Sequence, residues 1–545
     1  MTLRLLEAAV IAVAVVQMAR IALKPPFRRD MKDIPLLAVS LGVLALTLTA
    51  LGLWLMRRWP VIVDIAAVIS VVGMAAAWWR ARPSFGRQRG WPAGSLAVGA
   101  SLDAIDDRDF YLDQSKIHGP VFKMSQFGRP VVCVVGLGRG RDLLQSNPAA
   151  LTGASLPYNR FVPQGSLRYM AGDEHRREGP LFRGAFSSLE LEPGEDVVRA
   201  NCRDMLASLS ADSRNSDDGV RAREYLGRWV FAALSRVFFG FEPTDPRVLE
   251  LERAQRAVVL DRTGGRRWRT QMEWGFQTAT DLIQERAREG AVMASGVVPA
   301  NVFGALVAAD PETLDSVTRV RNLFLIFRLG VGDVTSLLDW VVTKLTEHPE
   351  WRDKVRTASV TGDAPGESPS ADIASRVILE TLRMEQSEFL YRRVVQSIVF
   401  EGFTIPAGWL VRICVQESHR DPAIFPEPNR FDPDRFVGRT FGRAQYSPFG
   451  ADNHGCLGKP LVNFLGRIFV EELCRGYHWR VTRDGPLERG TRHRHHWRPS
   501  AAKRIVLLPL GDGNASVVPT AAGAVEVPGN LRGPASTTRA TAPDR

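Results

Sequence analysis

The chain opens on long apolar runs. Pro35 to Met56 contains no charged residue, and its length matches the roughly 20 residues that cross a bilayer core. Arg57, Arg58, Trp59 and Pro60 make a short polar turn. Val61 to Trp79 follows as a second apolar run, with Asp64 near one end. This pattern predicts a transmembrane hairpin with spans at 35–56 and 61–79. Residues 5–23 are interrupted by Glu7, Gln17 and Arg20, so they read either as a third span or as a helix lying in the interface. Lys24, Arg28, Arg29 and Lys32 precede the first strong span, and Arg80, Arg82, Arg87 and Arg89 follow the second. The positive-inside rule puts both flanks in the cytoplasm, and the bulk of the chain with them.

Beyond this membrane module (residues 1–80) the pattern changes. Residues 81–98 are rich in Arg, Gly and Pro and read as a linker. A soluble domain then extends over 99–510. Pro120–Ser125 and Pro130–Val135 are β-rich runs around Phe127-Gly128-Arg129, a hairpin in which Pro130 opens its strand. Helical periodicity dominates from Glu195 to Glu289 and from Pro311 to Arg356. Short strands return between Leu390 and Val415, and Ile505–Leu510 is a last apolar strand. The tail, 511–545, is rich in Gly, Ala, Thr and Pro with few large apolar residues, and reads as disordered.

Composition narrows the class. Of the 545 residues 45% are hydrophobic and 24% charged, which excludes global disorder, collagen and coiled coil. The net charge is +11, and only eight of the 70 basic residues are lysine. That balance admits nucleic acid, an anionic membrane or an acidic protein as partner. No nucleic-acid motif is present, so membrane or protein is the better reading. The five cysteines, Cys133, Cys202, Cys414, Cys456 and Cys474, are widely spaced and odd in number, which fits neither a disulfide framework nor a paired zinc site. Gly136-Leu137-Gly138-Arg139-Gly140 has Arg141 where a dinucleotide fingerprint needs its third glycine, so it reads as a strand-to-helix turn. His493, His495 and His496 sit among arginines and read as a solvated loop rather than a metal site.

The sharpest feature is the stretch from Ser447 to Gly458, SPFGADNHGCLG, a glycine-rich loop that bends around Cys456 and enters an apolar helix from Leu461 to Leu473. A helix N-terminus stabilises a thiolate, and glycines let backbone N–H groups approach the sulfur. The loop resembles the haem-binding signature of the cytochrome P450 superfamily, F-G-x-G-x-[HR]-x-C-x-G. Phe449, Gly450, His454, Cys456 and Gly458 match it, and Asp452 stands where a glycine is usual. The resemblance implies haem b with Cys456 as the thiolate ligand of iron and His454 on a propionate. Glu380-Thr-Leu-Arg383 resembles the E-x-x-R helix motif, and Arg435, in Phe431-Asp-Pro-Asp-Arg-Phe436, resembles the arginine completing that ion network. Arg393 and His175 fall where propionate partners are expected, with Gly179 in place of a basic residue one turn after His175.

The resemblance covers about residues 99–510. It implies a mostly α, triangular haem-thiolate fold with small β-sheet regions, here preceded by the transmembrane hairpin. It implies a monooxygenase that inserts one oxygen atom from O2 into an organic, lipophilic or secondary-metabolite small molecule. No flavin or iron–sulfur domain is legible after Leu510, so electrons are expected from a separate reductase or ferredoxin. Arg176, Arg177, Arg183 and Lys459 are candidates for its docking face. The basic stretch Arg262–Arg269, with Trp268, falls where the family covers the substrate entrance, and reads either as a contact with an anionic bilayer or as a solvated basic loop with one packed Trp. Gln386 and Glu388 fall near the expected substrate site.

The oxygen-activating helix departs from the family. In place of A/G-G-x-D/E-T it reads Gly330-Val331-Gly332-Asp333-Val334-Thr335. One register puts Thr335 in the alcohol slot. The other counts back without gaps from Trp340 and His348-Pro349-Glu350 and puts Asp333 there. The two differ by about 200° of helix rotation, and the ungapped one is preferred because a deletion inside a packed helix would turn its buried face outward. The incomplete acid–alcohol pair keeps two other classes open: a haem-thiolate peroxygenase, isomerase or dehydratase, and a non-catalytic, membrane-tethered haem binder.

Overall fold

The structure is a computed structural model. It describes residues 90–511 except 97–103, 105–106, 127–128, 154–160, 163–164, 168–169, 171, 260–265, 294–300, 361–368, 386–389, 451–454 and 492–493, together with Arg58, Val61, Ile65 and Val72. Apart from those four residues, the expected membrane hairpin, the segment 5–23, most of the linker and the tail beyond Gly511 therefore lie outside the described residues. Among the described residues no helix is long and apolar enough to cross a membrane.

The described chain is mostly helical. In chain order its longer helices are α1 (Phe110–His118), α2 (Leu137–Ser146), α3 (Gly172–Ser187), α4 (Glu195–Arg214), α5 (Ala222–Phe239) and α6 (Arg247–Ala257). There follow α7 (Arg266–Met293), α8 (Val302–Ala309), α9 (Val317–Glu347), α10 (Pro349–Val360), α11 (Pro369–Glu385) and α12 (Lys459–Gly476). The central element is α9, whose 31 residues span about 46 Å. Ser316 caps it by accepting a hydrogen bond from the Arg319 N–H. Its residues are buried on nearly every side, as expected of a helix in the middle of a core. Helices α5, α7, α11 and α12 all pack against it. The Phe327 ring, for example, meets Phe231, Phe238 and Phe239 of α5 at centroid distances of 5.4, 5.6 and 5.1 Å.

Six strands form the main sheet: β1 (Ala93–Ser95), β2 (Val121–Gln126), β3 (Arg129–Val135), β4 (Leu151–Gly153), β5 (Leu390–Val394) and β8 (Leu410–Cys414), in the order β1-β2-β3-β8-β5-β4. The hairpin β6 (Ile398–Phe400) and β7 (Phe403–Ile405) is separate, as are the pairs β9 (Tyr477–Arg483) with β12 (Arg504–Pro509) and β10 (Glu488–Thr491) with β11 (Arg494–Arg498). The expected β2–β3 hairpin is present, with Arg129 opening β3 and Pro130 second, opposite Ser125. Gly136 alone joins β3 to α2, and Leu137 to Gly140 form the first turn of that helix. A Cβ at Gly140 would stand 2.5 Å from Ile413 Cγ2, so glycine lets α2 press onto the sheet. Among the described residues no cluster of His, Cys, Asp and Glu could hold a metal ion.

Candidate active site

The loop before α12 is folded back on itself by its own hydrogen bonds. The Ser447 hydroxyl donates to Gly450 O at 2.6 Å, and the Cys456 N–H donates to Phe449 O at 2.7 Å. Gly450 has φ 76°, a left-handed conformation that glycine adopts without strain. Cys456 is thereby held three residues before α12, at the positive end of an 18-residue helix. A Cβ at Gly458 would stand 3.9 Å from Cys456 Sγ, in ordinary van der Waals contact. Phe449 is half-buried and packs against the main core, with the Lys459 ammonium 6.0 Å from its ring centroid. Cys456 is the one exposed cysteine; the other four are buried. Burial pushes the thiols of Cys133, Cys202 and Cys474 up, that of Cys474 to about 12. Residues 451–454, His454 among them, lie outside the described residues.

A buried ion network holds this loop in place. Glu380 and Arg383 sit one turn apart on α11 and are 0% and 1% exposed. Arg383 Nε donates to Glu380 Oε2 at 2.7 Å, and Arg435 Nε donates to Glu380 Oε1 at 2.9 Å. The Arg383 guanidinium also donates to the carbonyls of His419 and Pro428 at 2.9 and 2.8 Å. The sequence reading missed the next link. Buried His419 accepts the Ser447 N–H on Nε2 at 3.0 Å, tying the α11 network to the first residue of the cysteine loop. Burial, followed by the Arg383 charge, holds the His419 imidazole down at about 3, so it is neutral.

This linkage predicts a pH dependence. The unfolded chain takes up the proton below about 6.5, whereas the fold refuses it until about 3. The stabilisation is complete above that upper value and is lost as pH falls through this window. At pH 5 the loss is roughly 2 kcal/mol. A His419→Gln variant is expected to lack this slope, as read from urea midpoints at pH 7 and pH 5. An undiminished slope in the variant would assign the acid sensitivity to another group.

On α9 the run of burial is broken at one place. Ile326 and residues 328–330 are half-buried, and Gly332 and Asp333 are exposed, whereas the positions on either side are almost all buried. Thr335 lies on another side of the helix. Its hydroxyl donates to Val331 O at 2.7 Å, and its Cγ2 would lie 3.7 Å from a Cβ on Gly227 of α5. Asp333 thus stands on the open face of α9 and Thr335 against α5.

On α3, His175 is buried, and its ring lies over Gly179, where a Cβ would stand 3.1 Å from Cε1. The missing basic residue at 179 is therefore explained by the room the imidazole takes. Burial, and then the charges of Arg183 and Arg392, lower the His175 pKa. Neighbouring residues of a strand point to opposite faces, and on β5 it is the half-buried Arg392 whose charge reaches His175. Arg393 is exposed and lines an outer cleft with Val394, Val395 and Gly408. Trp268 lies in α7 and is half-buried; its indole donates to Val259 O at 3.1 Å, and its ring stands edge-on to Phe161 at 5.8 Å. Gln386 and Glu388 lie outside the described residues.

These residues fit a haem. An accessible sulfur sits at a helix N-terminus, a long helix carries an uncovered stretch containing two glycines, and His175 and Arg392 offer N–H donors to acidic groups. Comparison with known proteins agrees. The profile of the family described as Cytochrome P450 matches residues 304–493. Abscisic acid 8'-hydroxylase 3 of Oryza sativa subsp. indica is 26% identical over 429 residues, 72% of this chain and 80% of that protein. Ent-kaurenoic acid oxidase 1 of Hordeum vulgare is 25% identical over 478 residues, 78% of this chain and 93% of that protein. Among solved structures, retinoic acid-bound cyanobacterial CYP120A1 superposes with a TM-score of 0.62 at 21% identity, covering 75% of this chain and 96% of that one. With its buried Glu–Arg–Arg network, its cysteine loop and these relatives, the chain belongs to the cytochrome P450 superfamily and is an oxidoreductase of the monooxygenase type, whose cofactor is haem held through a cysteine thiolate.

Proposed function

We propose that this chain is a membrane-tethered monooxygenase that inserts one oxygen atom of O2 into a carboxylic acid with an apolar body, taking electrons from a separate reductase or ferredoxin. The observation that carries the reading is the single accessible thiol at the head of α12, joined through Ser447 and His419 to the buried Glu380–Arg383–Arg435 network. Cys456 is the proposed iron ligand. Bound haem supplies the activation of O2. The protein's part is to hold the substrate and to manage protons. The acid substrate class is suggested by the names of the relatives, an abscisic acid hydroxylase and an ent-kaurenoic acid oxidase. Exposed Arg183 and Lys459 remain candidates for the docking face, whereas Arg176 is paired with Asp173. The cytoplasmic placement of the domain rests on the basic flanks of the apolar runs.

Asp333 is the proposed proton-handling residue. Its carboxylate is on the open face of α9, while the Thr335 hydroxyl is committed to the backbone at Val331. The haem-loaded full chain is tested with NAD(P)H, a reductase or ferredoxin, labelled O2 and a panel of carboxylic acids and their methyl esters. The expected result is one labelled oxygen in an acid product, with the esters turned over poorly. Asp333→Asn is expected to cut product formation by about 100-fold, the scale of a lost general acid, while Thr335→Val stays close to the parent. Both variants are expected to keep haem. Turnover with peroxide but not with NAD(P)H would favour the peroxygenase reading. Uncoupled NAD(P)H oxidation in Thr335→Val, with Asp333→Asn unchanged, would return the role to Thr335.

A further inference from the structure

Helix α9 carries a cation on the same face as Asp333. Positions 328 and 329 are half-buried and positions 332 and 333 are exposed. This i, i+1, i+4, i+5 spacing, at about 100° per residue, puts all four on one side of the helix. They hold Arg328, Leu329, Gly332 and Asp333. The side away from them is taken by α5. A Cβ at Gly330 would stand 3.4 Å from Leu234 Cδ1, and one at Gly227 would stand 3.7 Å from Thr335 Cγ2. The open face therefore runs, from its N-terminal end, through a cation, an apolar side chain, a gap and a carboxylate. Arg328 and Asp333 are five residues apart, about 7.5 Å along the axis.

Arg328 reaches from α9 to the last turn of α6. There its Nε donates to Gln255 O at 3.4 Å, long for an N–H···O bond. A guanidinium is planar, permanently charged and matched to a carboxylate through two parallel N–H···O bonds. Leu329 beside it offers apolar surface. Gly332, one turn beyond Arg328, adds no side chain, so an apolar body has room between the guanidinium and Asp333. Like charges repel, so the Asp333 carboxylate directs the head of an acid toward the arginine end of the face. The order of these groups thus fits a molecule with a carboxylate at one end and an apolar remainder, and it fits that molecule one way round.

We propose that Arg328 receives the carboxylate of the substrate, with the apolar body lying over Leu329 and Gly332 toward Asp333. The inference rests on the proposed acid substrate and deepens it, by naming the group that recognises the acid and the end of the molecule kept away from Asp333. Arg328 sets specificity and orientation and takes no part in proton handling.

The test uses the haem-loaded full chain and its Arg328→Gln and Arg328→Lys variants. Calorimetric titration measures the binding of a panel of fatty and terpenoid carboxylic acids and of the methyl ester of each. The parent is expected to bind an acid more tightly than its ester. Arg328→Gln is expected to weaken acid binding by about 10- to 100-fold, the scale of a lost charge-assisted hydrogen bond, and to leave the ester nearly unchanged. Arg328→Lys should fall between, because an ammonium keeps the charge without the paired fork. Equal weakening of acid and ester would mean that Arg328 only supports the packing of α9 on α6, and overturns the inference. A parent that prefers acids, with the preference kept in Arg328→Gln, also overturns it and leaves the acid substrate standing. A parent that binds esters as well as acids, or that binds no acid of the panel, overturns both. If Arg328→Gln does not load haem, Arg328→Lys decides. A lowered acid-to-ester ratio supports the inference and an unchanged ratio overturns it.

Discussion

Cys456→Ser is expected to abolish the red-shifted ferrous–CO absorption of the haem-loaded chain and to bring product formation to background. The cause is the state of the side chain. Cys456 lies at the N-terminal end of α12, whose N–H dipoles favour negative charge on a sulfur ligand. A serine hydroxyl keeps its proton and gives iron no comparable donor. No other cysteine stands ready to replace it, since the remaining four are buried. The apoprotein should fold nearly as before, because Cys456 is exposed and little packing is lost with its sulfur. Far-UV circular dichroism close to the parent, together with a lost CO band, is therefore the expected pair of readings. A CO spectrum unchanged by the substitution would mean that Cys456 is not the ligand.

The largest effect on stability is expected at Glu380. Its carboxylate is fully buried and faces Arg383 and Arg435 at once, while its Oε1 also accepts the Asp432 N–H at 3.0 Å. Glu380→Gln leaves one fully buried and one nearly buried guanidinium without their counter-charge. Removing one partner of such a group costs about 3–5 kcal/mol, far more than the intact pair contributes over an apolar replacement. The urea midpoint should fall with little change in slope. Haem content per chain should fall with it, because Arg383, His419 and Ser447 carry the network to the cysteine loop. A double variant, Glu380→Gln with Arg383→Met, is expected to be less damaged than the sum of the single changes, since it removes the stranded charge as well as its partner. Strict additivity would mean that the groups do not act as one unit.

Much of this was legible along the chain because the signals are local. The cysteine loop, the E-x-x-R turn and the loop arginine are short motifs, and each meets its partners through backbone geometry that a few residues dictate. The helical stretches are legible for the same reason, since a 3.6-residue period declares itself within a few turns. Glu380 and Arg383, three positions apart, share one helix face before anything else is known. The strand-to-helix turn at Gly136 is equally local.

The sequence by itself determined the family, the mostly helical class and the three charged residues that meet at Glu380. The tertiary structure decided which face of each element looks where. Arg392 and Arg393 are adjacent arginines, and it is the packing of β5 that leaves Arg392 half-buried with its charge near His175 and Arg393 exposed on an outer cleft. Asp333 and Thr335 differ by two positions, and it is the contact of α9 with α5 that turns Thr335 away from the open face. Trp268 and His419 make the same point, since each finds its hydrogen-bond partner in a separate stretch of chain. A side chain's face follows from what packs against its element, and those partners lie up to hundreds of residues away in sequence. No local period contains that information.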